Sequence, residues 1–318
     1  RPVAHLLKEA FLAQGGDAVV TRDLITAKTD HSDVILCGTR KQFGGACGNL
    51  REQGFGCDTL AREIEDAIRR FGSVPDVPEP SELRDSGLQG LFEAIGRRTL
   101  VMGILNVTPD SFLDGGRYLE TAEAVARGTE MVQDGADIID VGGESTRPRS
   151  ESVAAEEEIA RVVPVIQGLR SNVQTPISID TTKAAVAAAA LDAGASILND
   201  ISAASFDAEM PSLIAKRRCP AVLMHIKGTP RDMQEQPAYD NLMSEVFGYL
   251  RERVHALVEA GVDERLLMVD PGIGFGKTVE HNLELLRRLR ELRSLGRPLL
   301  VGTSRKSTIG KVLGDLPA

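Results

Sequence analysis

Four cysteines in 318 residues are too few and too scattered for a disulfide scaffold. Cys37, Cys47, Cys57 and Cys219 lack the CxxC spacing of a zinc site and read as reduced structural thiols. No uncharged apolar run approaches the ~18 residues that a membrane helix needs. Positive charge is in deficit: 37 Lys and Arg stand against 46 Asp and Glu, a formal net charge of −9. A broad nucleic-acid footprint needs a basic face, so that class of partner is excluded, but a local cationic pocket for a small anion is not. Low-complexity tracts are absent, and 42% apolar residues suffice for a core, which excludes a disordered chain. The first residue is Arg, no secretory signal pattern follows, and the last residues come soon after a helix start, so a trimmed sequence is expected.

One clear linker is present, Gly72-Ser-Val-Pro-Asp-Val-Pro-Glu-Pro-Ser81, whose three prolines disfavour helix and central strand alike. Residues 1–80 before it read as a small α/β accessory module. Leu6, Leu7, Ala10 and Phe11 fall on one helix face, as do Leu60, Ile64, Ala67 and Ile68. Residues 32–38 read as a buried strand, and Gly38-Thr-Arg-Lys41 as a solvated basic loop. Residues 81–96 are linker and lead-in helix. From 97 onward the period changes. Apolar runs at 100–107, 137–141, 177–180, 197–201, 221–225, 266–270 and 299–302 alternate with helical stripes. Such runs suit strands buried on both faces, and the alternation predicts a parallel α/β fold, a (β/α)8 TIM barrel with about seven units present. Residues 97–318 fall short of the ~250 of a typical barrel by about one strand–helix unit, so the barrel is expected to be C-terminally incomplete.

Polar residues collect where the apolar runs end: Asn106, then Glu144, Thr146 and Arg147, then Asp180, Asn199 and Asp200, His225, Asp270, and Ser304, Arg305 and Lys306. In a barrel these ends converge on one face, where active sites are built. Asp180, Asn199 and Asp270 suit a flat heterocycle rich in N–H donors, while Arg147, Arg305 and Lys306 suit an anionic group. Gly272-Ile-Gly-Phe-Gly-Lys-Thr278 resembles a phosphate loop but is one residue short of a Walker A motif, and Lys277 stands where a dinucleotide fingerprint needs Gly. His225 reads equally as a strand-end residue or a catalyst.

The strings around these positions resemble dihydropteroate synthase. Gly103-Ile-Leu-Asn-Val-Thr-Pro-Asp-Ser-Phe112, followed by Asp114-Gly-Gly116, is similar to the family's first signature, and Gly142-Gly-Glu-Ser-Thr-Arg-Pro148 to its second. Ser178-Ile-Asp-Thr181, Asn199-Asp-Ile201, Leu223-Met-His225, Asp270-Pro-Gly-Ile-Gly-Phe-Gly-Lys277 and Ser304-Arg-Lys-Ser307 follow in family order. The resemblance implies a cytoplasmic transferase of folate biosynthesis and a sulfonamide target. It would condense 6-hydroxymethyl-7,8-dihydropterin pyrophosphate with p-aminobenzoate. By the same resemblance Asp180, Asn199, Asp270 and Lys306 hold the pterin. Phe112, Thr146, Pro148, Phe275 and Ser307 form the p-aminobenzoate slot. Asn106, Thr146 and Arg147 meet pyrophosphate, with Asn106 ligating Mg2+. Asp114, Arg147 and Lys306 act in catalysis, on loops that close over the site.

A homodimer is implied as well, with no nucleic-acid or membrane partner. The resemblance also implies an Arg-x-His pair at the end of strand eight; the sequence stops before that strand, so a fragment is expected, with an inactive protein or one completed by something else as the other readings. A methyltetrahydrofolate–corrinoid methyltransferase and a catalytically inactive pterin-binding protein are the rival readings. The first loop carries no insertion near Phe112, so sulfonamide sensitivity is expected.

Overall fold

The computed structural model describes residues 2–22, 33–83, 85–108, 116–147, 150, 152–235 and 237–314. The chain divides into two compact units, Arg1–Ser73 and Val74–Ala318.

In the first unit, helix α1 (Pro2–Ala13) precedes strands β1 (Asp17–Val20) and β2 (Val34–Cys37), which pair antiparallel from Asp17↔Cys37 to Val20↔Val34. Helices α2 (Arg40–Arg51) and α3 (Cys57–Gly72) follow. Leu7, Ala10 and Phe11 of α1 pack with Ala46, Cys47, Leu50, Cys57 and Ala61. Two expectations are corrected. Strand β2 is not buried on both faces: it alternates, with Ile35 64% exposed, because its one partner is β1 and the helical core covers one side. The basic stretch after Gly38 is not a loop but the first turn of α2. There Thr39 and Gln42 form a reciprocal capping box that satisfies backbone donors locally.

In the second unit, α4 (Ser86–Ala94) leads into strands β3 (Met102–Asn106), β4 (Ile138–Gly142), β5 (Ile177–Asp180), β6 (Ile197–Asp200), β7 (Ala221–Met224) and β8 (Leu267–Asp270). They form one parallel sheet in sequence order. Helices α5 (Gly116–Gln133), α6 (Ala155–Asn172), α7 (Ala184–Ala193), α8 (Met210–Arg217), α9 (Leu242–Glu259) and α10 (Val279–Arg288) each follow a strand, and α11 (Ser307–Val312) comes last. This is the winding of a (β/α)8 barrel. The seventh run, at 299–302, makes one parallel bridge, Val269↔Leu299, rather than a named strand. Pro298 accepts from Val269 N–H and Leu300 donates to the Val269 carbonyl, but Pro298 has no N–H with which to extend the ladder back toward Leu267. Among the described residues no helix is long and apolar enough to cross a membrane.

Strand parity sorts the interior. Ile139, Val141, Ile179, Leu198, Leu223 and Val269 point outward into the helix-covered core. Ile138, Ile197, Val222 and Met268 point inward at the N-terminal end of the barrel, where Leu88, Leu91 and Phe92 of α4 seal them. Continuing inward along the same strands gives Asp140, Asn199 and Asp270. One barrel thus has an apolar floor and a polar mouth. Phe92→Ala opens that floor and should lower the unfolding free energy by about 3–5 kcal/mol, read by urea titration; a loss under about 1 kcal/mol would show that the floor does not depend on α4.

Candidate active site

Register brings the polar strand ends together. Asn106, Gly142, Asp180 and Asn199 are successive Cα partners across β3, β4, β5 and β6. Gly142 leaves a recess there: a Cβ on it would stand 3.5 Å from Asn106 Oδ1 and 3.7 Å from Asp180 Oδ2. The other Asp180 oxygen, Oδ1, is buried and accepts no hydrogen bond. Burial pushes the Asp180 carboxyl well above its ordinary value, the nearby Asp140 charge adds to this, and Lys306 opposes it. An orphan buried acceptor costs about 1–3 kcal/mol, so its persistence at a concave mouth marks a place where a ligand donor belongs.

Asp270 is likewise buried. Its Oδ1 accepts from Gly272 N–H at 2.7 Å, and burial holds it at about 6, with Lys306 and Lys277 pulling the other way. Lys306 therefore serves two carboxylates, and its ammonium lies 4.1 Å from the centroid of the Phe275 ring. The cation, the ring and the two acids form a pocket wall that is flat on one side and charged on the other.

The segment after β8 is held in place by a second lysine. Lys277 is buried and donates to the carbonyls of Gly272 and Phe275, both at 2.9 Å, and meets His225 Nδ1 at 2.8 Å. Burial lowers His225 to about 3, with the Lys277 charge contributing, so the imidazole is neutral and its Nδ1 is the acceptor. The imidazole is a buried strut, edge-on to Tyr249 at 5.0 Å. This arrangement explains why the resemblance to a phosphate loop is empty, since Lys277 spends its N–H groups on its own turn. Gly272 is obligatory here. Its φ is +68°, and a Cβ would sit 1.9 Å from the His225 carbonyl oxygen. Asn282 then ties this turn to the last helix, accepting from Gly274 N–H at 2.9 Å and donating to Thr308 Oγ1 at 2.8 Å. That bridge sets Lys306 beside Phe275.

The remaining sequence candidates separate by face. Asp200 points away from the mouth and clamps its own loop, accepting from Ser202 N–H, Ser202 Oγ and Ala204 N–H. Glu144 pairs with Lys183, which also holds buried Glu158 at 2.6 Å, while Arg161 donates to the Gly143 carbonyl at 2.8 Å. These contacts anchor the base of the second loop, on which Thr146 is half-buried and Arg147 exposed. Ser307 opens α11 and is exposed, as is Arg305. Phe112, Asp114 and Pro148 lie outside the described residues. Sequence reasoning missed Asp140 and Ser178. Asp140 accepts from Ser178 Oγ and from Asn199 Nδ2 at 3.0 Å. The available signal was a carboxylate in the middle of an apolar strand, two positions before Gly142 and so on the same face.

The burial of Asp270 has a pH signature. Below about pH 4 it is protonated folded or unfolded and burial costs little; as pH rises through about 6 the folded protein must hold a buried charge. Wild type should therefore lose up to about 3 kcal/mol of unfolding free energy relative to Asp270→Asn between pH 4 and 7. Urea unfolding of both proteins across that range tests this, and a pH-independent difference would refute it.

Comparison with known proteins agrees with this geometry. A family model described as pterin binding enzyme matches residues 102–317. The dihydropteroate synthase of a Synechocystis strain is 51% identical over 225 residues, 71% of this chain and 78% of that protein. A probable bifunctional folylpolyglutamate synthase/dihydropteroate synthase of Haloferax volcanii is 41% identical over 321 residues, 99% of this chain, and the chain spans 38% of that relative's length. Among solved structures, dihydropteroate synthase from Xanthomonas albilineans with 4-aminobenzoic acid superimposes with a TM-score of 0.65 at 46% identity, covering 69% of this chain and 78% of that one. With the family model matching residues 102–317 and a synthase 51% identical over 225 aligned residues, the chain belongs to the dihydropteroate synthase family of pterin-binding enzymes.

Proposed function

We propose that the barrel joins 6-hydroxymethyl-7,8-dihydropterin pyrophosphate to p-aminobenzoate, giving 7,8-dihydropteroate and pyrophosphate, and that the residues above divide the work. The observation that carries the assignment is the orphan Asp180 oxygen on the register partner of Asn199, with Lys306 acting on both Asp180 and Asp270: an acceptor-lined mouth that needs a ring with several N–H donors. Lys306 closes the pterin's polar edge and borders the arylamine slot through Phe275. By the family resemblance Ser307, Phe112 and Pro148 would contribute to that slot.

The donor set at the recess is all oxygen, which suits a hard divalent cation that keeps most of its water and phosphate ligands. Asn106 would hold Mg2+, which when bound supplies neutralising charge for the departing pyrophosphate. Thr146 and Arg147 meet the same phosphates. The C–O bond to pyrophosphate breaks first. The pterin cation is delocalised over the ring and stabilised by the buried carboxylates. The arylamine nitrogen then attacks the methylene carbon and loses a proton. By the family resemblance Asp114 and Arg147 would help to exclude the water that would otherwise capture the cation.

A mixture of the pterin ester, Mg2+ and p-aminobenzoate should release pyrophosphate and yield dihydropteroate. Pterin binding without either product would mark an inactive binder, and methyl transfer from methyltetrahydrofolate to a corrinoid would favour the methyltransferase. Arg147→Ala should lower kcat by about 10²-fold while the pterin dissociation constant changes much less, since charge developing on the leaving group is what it meets. Sulfonamides share the aryl amine and the anionic tail of p-aminobenzoate, and should raise its apparent KM with kcat unchanged. Loss of kcat at saturating p-aminobenzoate would instead place the inhibitor outside the slot.

We also infer a role for the first unit. The synthase-only relative matches 71% of this chain and the family model begins at residue 102, whereas the bifunctional relative matches 99%. The unit Arg1–Ser73 is therefore the part shared with the fused protein, and we propose that it belongs to a folylpolyglutamate synthase half. The protein expressed from its complete gene should hydrolyse ATP when given dihydrofolate or tetrahydrofolate and glutamate; synthase activity without glutamate addition would reject the fusion.

A further inference from the structure

We infer that Asp140 is a positioning residue that fixes which way the Asn199 amide faces, and thereby sets the site's preference for ring edges that carry N–H donors. The inference rests on the pterin reading of the site and adds to it a determinant of specificity.

An amide side chain presents a donor on one edge and an acceptor on the other, and nothing in its shape decides which faces a ligand. Here the choice is forced. Asn199 Nδ2 lies 3.0 Å from Asp140 Oδ2. Turning the amide over would set its carbonyl oxygen against a carboxylate oxygen with no proton between them. Asp140 cannot turn away, because its other oxygen receives the Ser178 hydroxyl from the neighbouring strand. Asn199 Oδ1 is thus left on the opposite edge of the amide, and no described residue donates to it. Asn199 is the register partner of Asp180, whose Oδ1 is also unsatisfied. The two strands therefore offer a ligand neighbouring acceptors.

Asp140 is a costly way to achieve this. It is 4% exposed and has no cationic partner among the described ion pairs, so burial raises it, and its charge in turn raises Asp180. A buried unpaired carboxylate adds nothing to stability that an apolar residue would not supply better. Its value lies in the orientation it imposes.

The test uses 6-hydroxymethylpterin and its 2-oxo counterpart, in which a ring-edge amino donor is replaced by an acceptor. Calorimetry should show wild type preferring the amino compound. In Asp140→Asn the new amide can donate to Asn199 Oδ1, the flip becomes allowed, and the preference should fall by at least about tenfold. Ser178→Ala removes the donor that holds the carboxylate and should lower the preference in the same direction but by less than Asp140→Asn, whereas general loosening of the network would weaken both pteridines alike. Should Asp140→Asn not fold, the wild type decides. The Asn199 Nδ2 proton resonances, assigned by their loss in Asn199→Ala, should be shielded from solvent exchange in the unliganded protein. An unchanged preference in folded Asp140→Asn, or fast exchange of those protons, overturns the inference. Wild type that binds neither pteridine overturns it together with the pterin reading.

Discussion

Three carboxylates share one low-dielectric barrel mouth, and the rest of the site follows from that crowding. Asp140, Asp180 and Asp270 are all pushed upward by burial, and each is relieved differently. Asp140 is relieved by two neutral donors, Asp270 by a backbone N–H of its own turn, and both Asp180 and Asp270 by the single ammonium of Lys306. One oxygen of Asp180 is left with nothing. The unliganded site is therefore held at a cost in stability, and the missing hydrogen bonds are those that a donor-rich ring provides. On the proposed reading, affinity and instability have the same origin: the groups that penalise the protein without ligand are those proposed to bind it.

Lys306 can serve two acids only if its backbone is held close to both. The 271–277 turn does this through its own backbone and Lys277. Lys277 gathers its carbonyls, neutral His225 accepts from the same ammonium, and Asn282 links Gly274 to the helix that follows Lys306. Arg305, just before Lys306, takes a left-handed φ of +52°. Such a conformation costs of order 1–3 kcal/mol in a non-glycine residue and survives where surrounding contacts over-determine it. A string that reads as phosphate-binding is in fact a brace, and only the partners of Lys277 distinguish the two.

The strands were readable as apolar runs without polar alternation, and so were the strand ends they lead to, because burial on both faces leaves little choice of residue except at the mouth. Asp180, Asn199 and Asp270 were legible for that reason. Asp200 was not separable from Asn199 by composition. Adjacent positions point to opposite faces, so the register decides that one reaches the mouth while the other clamps a loop. Asp140 was hidden by the opposite effect, a polar residue inside a run that otherwise reads as pure core. Residues 299–302 were over-read because an apolar run fixes burial, not pairing, and pairing needs an N–H that Pro298 lacks.

The floor and the mouth of the barrel are under different physical constraints. The floor is a packing problem: Phe92, Leu91 and Leu88 need only fill the space under Ile197, Val222 and Met268, and several apolar sets of equal volume would serve. The mouth is an orientation problem. Exchanging Asn199 for an isosteric acid, or Asp140 for an amide, conserves volume and shape while reversing which atoms donate. Substitutions that a packing argument passes as neutral are the ones that change what this site recognises. Specificity in this fold therefore lies less in the residues a ligand touches than in the buried partners that decide how those residues are turned.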